Sequence, residues 1–203
     1  MFSLEDLLGQ QQGTDAVQQI SQTVGADQSA VSSAIQLALP TLINGLASNA
    51  STPQGAESLD NALQEHDGSI LGNLGGLGSL IFGGQQQGAA PAPQADAGGI
   101  LGHILGGSQG AVAQEAGIKT GLNAGQVAQI LMFLAPIVMG YLGKKKQDEN
   151  LGADGISNWL GGQQQQIQQS AQGGFINSIL DSDHDGSSLD DIASMAFKYM
   201  TNR

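Results

Sequence analysis

Cysteine is absent from all 203 residues. Disulfides, thiolate zinc sites and cysteine nucleophiles are therefore excluded. Cations are nearly as scarce: six Lys and Arg stand against eighteen Asp and Glu, for a net charge of −12. Binding a nucleic acid requires clustered cations to neutralise phosphates, so this balance argues against it. Three of the six are consecutive, Lys144, Lys145 and Lys146, and read as a solvated turn after an apolar run rather than a binding patch. Aromatic residues make up 4% of the chain, which leaves Leu, Ile, Val and Ala to build the core. Sustained period-two alternation is missing, so no strands are expected. Also missing are a nucleophile elbow, a phosphate-binding loop, a dinucleotide fingerprint and a His-Glu-x-x-His pair. The opening Met-Phe-Ser-Leu-Glu-Asp-Leu-Leu has neither a basic n-region nor a long apolar h-region, and cytoplasm is the expected location.

Glycine, by contrast, is abundant at 31 residues, about twice its usual share. The most apolar stretch is 126–143, with Val127, Ile130, Leu131, Leu134, Val138, Tyr141 and Leu142 at helical spacing. It has an earlier echo at 30–46. A shift of 96 positions lays Gly25 on Gly121, Val31 on Val127, Pro40 on Pro136 and Leu46 on Leu142. The chain thus reads as a duplicated helical unit. The run free of polar side chains, Ile130 to Gly143, is shorter than the ~20 residues of a spanning helix. The first copy carries Ser32, Ser33, Gln36, Thr41 and Asn44, an amphipathic pattern that favours a buried core helix over a membrane span. Pro40 and Pro136 each predict a break, with two short helices meeting at a bend, or a new helix starting at the proline.

Further helices are expected over 3–12 with Ser3 as N-cap, over 14–24 stopped by Gly25, from Asp27 through the first echo, over 53–64, and over 153–160. Short apolar helices are expected at 99–107 and 108–116, and another over 167–180. Residues 144–150 read as a charged turn, the glutamine runs at 85–87 and 163–166 as low complexity, and Trp159 as a core anchor. Residues 68–84 are glycine-rich yet apolar at helical intervals, a helix that would exist only by packing. The organisation expected is a first helical repeat at 1–84, a Gly/Gln/Pro-rich flexible linker at 85–97, and a second repeat at 98–203.

One constellation carries chemistry. Residues 181–192 alternate Asp181, Asp183 and Asp185, then turn at Gly186. Hard cations such as calcium take six to eight oxygens. Three alternating carboxylates, the Ser187 carbonyl and a closing Asp191, or else Asp190, offer such a set between two apolar helix patterns. The position where a calcium loop of the helix–loop–helix type closes with Glu is Ile192, which implies weak affinity, on the order of 10⁻⁴–10⁻³ M. The bland alternative is a solvated acidic turn in which Ser188 caps the last helix with Asp191 three residues on. Mutual repulsion of the aspartates favours the cation. His184 points to solvent in either case. His66 and His103 could pair across the linker as a metal or acid–base couple, although a histidine in such a setting is more often an interior or edge residue.

The segments at 63–71, 99–107, 134–143 and 181–191, taken together, resemble the YidB-like family of bacterial proteins of unknown function, across roughly 15–191. The resemblance implies a multihelical fold with internal duplication and a frequent aspartate-rich end, and no established activity. That family's loop often has Gly where this chain has His184. The combined expectation is an all-α, internally duplicated, non-enzymatic structural or interaction protein, self-associating or bound to a protein partner, with one calcium loop. The alternative is a membrane-associated protein using 68–84 and 126–146, and an enzyme using His66 and His103 is a third reading.

Overall fold

The computed structural model describes residues 3–66, 68–76, 97–170 and 174–175. Ser3 starts the first helix, α1 (Leu4–Leu8), through a capping box: its hydroxyl accepts from the Asp6 amide at 3.2 Å and the Asp6 carboxylate accepts from the Ser3 amide at 3.1 Å. The helix expected over 3–12 is split at Gly9, whose φ of +86° suits glycine. The next helix, α2 (Gln10–Val24), starts before Thr14. That residue does not cap; its hydroxyl donates back to the Gln10 carbonyl at 2.8 Å. Val17, Ile20 and Val24 are buried, and Gly25 ends the helix in the left-handed conformation.

Two long helices follow the pattern of the echo. The first, α3, spans Gln28–Asn49, and α4 (Pro53–Gln64) begins with its proline just inside the Thr52 cap. A 3-10 segment covers Ser69–Gly76. In the second half, α5 is Ala97–Leu105 and α6 is Gln109–Thr120, which ends at left-handed Gly121. The second long helix, α7, spans Ala124–Asp148, and α8 spans Ala153–Gln168. Among the described residues the fold is all-α, as expected. Asn123 caps α7 with its side chain because Gln126, three residues on, completes the box; Asp27 holds the matching place on α3 but makes no side-chain cap bond.

The prolines do not break their helices. Pro40 and Pro136 lie inside continuous α3 and α7. A mid-helix proline costs ~3 kcal/mol or more, but here both turns flanking each proline are clamped by neighbours. Leu39, Pro40, Leu42, Leu134, Pro136 and Ile137 are all buried. Thr41 adds a hydroxyl bond to the Leu37 carbonyl at 2.8 Å. The packing is reciprocal: α3 lies against α6 and α8, while α7 lies against α2 and α4 as well as α3. A single apolar cluster includes Leu4 and Leu63 from one half and Leu101 and Ile167 from the other. Polar contacts cross between halves too: Ser157 donates to the Ala50 carbonyl at 2.8 Å, and Gln164 to the Asn44 side chain at 2.9 Å.

By length and composition α3 and α7 could each cross a membrane, yet 61% and 67% of their apolar windows are buried inside the fold. Three further expectations are corrected. Lys144–Lys146 are not in a turn; they sit on the last turns of α7, where Lys and Gln are good helix formers. The helix expected to stop at Leu160 runs on through Gly161 and Gly162, anchored at its far end by fully buried Ile167. Trp159 is half-buried, tilted against Tyr141 with ring centroids 6.3 Å apart and with Lys145 Nζ 5.1 Å from its ring centre. It covers the core rather than filling it.

Close approach decides one glycine. A Cβ on Gly143 would fall 1.6 Å from the His66 carbonyl oxygen and 3.1 Å from that of Leu63, and both obstacles are backbone. Gly143→Ala should destabilise by about 1–3 kcal/mol despite the better helix propensity of alanine. Gly162→Ala, at an exposed site with nothing within 4 Å, should stabilise by up to about 1 kcal/mol. Urea unfolding of the two variants checks the opposite signs.

Candidate functional site

His66 follows the end of α4. Its amide donates to the Leu63 carbonyl at 3.3 Å, and its own carbonyl lies against Gly143 of α7. The side chain is buried: His66 is only 7% exposed, and neither ring nitrogen has a hydrogen-bond partner among the described residues. A buried, unsatisfied polar group costs about 1–3 kcal/mol, and such a group in a folded protein calls for an explanation.

The ring lines a groove of about 720 Å³ between α4 and α5, floored by the end of α3 and by Met139 of α7. Leu46, Leu59, Ala62, Ile100 and Ile104 supply apolar walls. The α5 wall stands close because Gly45 admits it; a Cβ there would meet the Ile104 carbonyl at 2.5 Å. Two other polar side chains of the lining are already engaged. Asn49 donates to the His103 carbonyl at 2.5 Å and the Ile104 carbonyl at 3.4 Å, while the Ser58 hydroxyl donates to the Gln54 carbonyl at 2.8 Å. Glu65 and His103 are exposed at the rim.

The two histidines singled out in the sequence thus share one groove, His66 inside and His103 at its edge. Interior placement is among the settings expected for such a histidine; what the sequence did not indicate is that the buried ring of His66 lacks a hydrogen-bond partner among the described residues. Among the described residues no three His, Asp or Glu side chains gather as metal ligands. The calcium-loop residues Asp181, Asp183, Asp185, Ser187, Asp190 and Asp191 lie outside the described residues, as does the linker over 85–96.

The lysine triplet is divided in its contacts. Lys146 Nζ lies 2.6 Å from Asp60 Oδ1 and donates to the Asp60 carbonyl at 3.0 Å, with both side chains largely covered. Lys145 pairs with half-exposed Glu149 at 2.5 Å. Lys144 and Lys145 border a depression of about 510 Å³ that also holds Asp148 and Glu149. The charges there are mixed, which agrees with the absence of a basic patch.

The described body is therefore a bundle of helices with two buried proline-bearing members and a histidine-lined apolar groove on one side. A family model described as a bacterial protein of unknown function (DUF937) matches residues 6–145, and the chain belongs to that family. No curated protein and no solved structure matches it.

Lys146→Ala removes one member of a covered ion pair and should cost about 1.5–3 kcal/mol. Lys145→Ala, whose partner is in solvent, should cost less than about 1 kcal/mol. Thermal unfolding of both variants at low and high salt checks the ranking, and only the second loss should fade with salt.

Proposed function

We propose that the chain is a non-enzymatic structural or interaction protein, self-associating, whose C-terminal aspartate loop takes calcium and orders the last helix. The observation that carries this reading is the spacing Asp181, Asp183, Asp185, Gly186 between two apolar helical patterns. Hard-cation sites use carboxylates on alternate positions and a glycine at the turn. Ser187 would add its carbonyl, and Asp191, or else Asp190, would close the loop. Ile118 on α6 supports a protein contact: it is 78% exposed, the large apolar side chain that the described body leaves in water.

Within its family the chain is best placed with the YidB-like members, and its two halves are best read as copies of one unit joined by the segment at 85–97. The places held in common support the duplication: the left-handed Gly25 and Gly121, Asp27 and Asn123 at the matching position just before each long helix, and the prolines inside α3 and α7. Cytoplasm remains the proposed location.

Calcium at ten times its dissociation constant should stabilise the chain by about 1.4 kcal/mol. The expected results are a rise in Tm over the millimolar range, shifts of amides in 181–200, and a solution mass above that of one chain. No change in Tm or amide shifts at 10-millimolar-scale calcium, roughly the top of the weak-site range, would remove the metal from the proposal, and a single-chain mass at all concentrations would remove self-association.

A membrane-associated role through 68–84 and 126–146 is the second reading, favoured by the length and apolarity of α7. It would require the buried face of that helix to leave the core. Flotation with anionic and neutral liposomes separates the two readings: the interaction protein stays in the dense fraction, and a membrane protein rises with the vesicles.

A further inference from the structure

We infer that the groove between α4 and α5 is a binding site for a small apolar molecule bearing one uncharged hydroxyl or amide group, and that His66 is the residue that recognises this group. The inference is independent of the calcium loop and of self-association.

Three observations converge on it. The first is His66 itself, more than nine-tenths buried and lining the groove with both ring nitrogens unpartnered among the described residues. A neutral imidazole presents one N–H donor and one lone-pair acceptor, so it can give a hydrogen bond to a hydroxyl or amide oxygen, or accept one from its hydrogen. The second is the rest of the lining. Its walls are aliphatic, and Asn49 and Ser58 are exposed at its edge with their donor groups given to backbone carbonyls. That leaves His66 as the buried polar side chain of the described lining, one anchor inside an apolar container, the usual composition of a small-molecule site, and about 720 Å³ falls within the usual ~300–1,000 Å³. The third is charge. Among the described residues the lining has no Lys or Arg, and Glu65 stands at the rim of a chain with net charge −12. A carboxylate or phosphate ligand would meet no cation of the described lining and would lose its hydration, which selects an uncharged head group.

The backbone supports this assignment. The His66 carbonyl packs directly on Gly143 of α7, so the backbone that carries the ring is held against the core. If His66 were only a packing residue, an aliphatic side chain would serve better there, because it would leave no polar atom unsatisfied. A binding residue predicts the reverse trade: a gain in stability on replacement, together with a loss of ligand.

The test uses the full chain with 1-decanol as probe and decanoate as its anionic counterpart. Binding is followed by the imidazole ¹⁵N signals of His66 and by thermal unfolding. The expected results are a decanol-dependent shift of the His66 signals, a raised Tm, and decanoate binding at least about tenfold weaker. His66→Leu should raise the Tm of the free protein and weaken decanol at least about tenfold. Ala62→Phe, which fills the groove and leaves the imidazole in place, should also block the probe. His66→Gln retains a donor and an acceptor and should keep most of the affinity, which covers the case in which the leucine variant fails to fold. The inference is overturned if decanol leaves the His66 signals unmoved up to its solubility limit. It is equally overturned if decanoate binds as well as decanol, or if His66→Leu lowers Tm and leaves decanol affinity unchanged.

Discussion

Mutual cover of α3 and α7 is the constraint on which the rest of the molecule depends. Each is apolar around most of its circumference. Most of the cover on α3 comes from the other half, from α5, α6, α7 and α8, with α2 from its own; α7 lies against α5 and α6 of its own half and against α2, α3 and α4 of the other. Burial of this kind contributes roughly 1.5–3 kcal/mol for each large aliphatic side chain removed from water. A helix carrying many such residues can therefore absorb an interior proline. The uninterrupted run of both helices through Pro40 and Pro136 is a result of packing, because the local backbone preference opposes it.

That balance also explains which elements could be read from the sequence. Ends set by backbone chemistry were legible: Ser3 caps α1, Gly25 stops α2 in the left-handed conformation, and Pro53 opens α4. Elements decided by distant partners were not. The extension of α7 through the lysines is accompanied by the Lys146–Asp60 pair, which joins positions far apart in sequence. The passage of α8 through two glycines relies on Ile167 reaching the core. Trp159 had the composition of an anchor, but its ring rests between Tyr141 and Lys145 at the surface.

The groove shows the same division. Its histidines were visible as residues, and their placement on one groove follows from the packing of α5 against the end of α3, which Gly45 permits. An interior position was legible for His66, but the loss of a hydrogen-bond partner for its ring was not, and neither was the close approach of its carbonyl to Gly143, on a different helix and in the other half of the chain. The aspartate pattern at 181–191 is the opposite case: its alternation is plain in the sequence alone and owes nothing to tertiary contacts.

Reciprocal cover has a consequence for how the chain comes off the ribosome. The first half emerges with α3 formed but without α6 or α8 to lie on it, so Leu39, Leu42 and Leu46 wait for partners not yet translated. At ~5–20 residues per second, that interval is on the order of ten seconds. During it the apolar faces of the nascent segment stay in water, so the cost of an unburied α3 falls on the growing chain and not on the finished one.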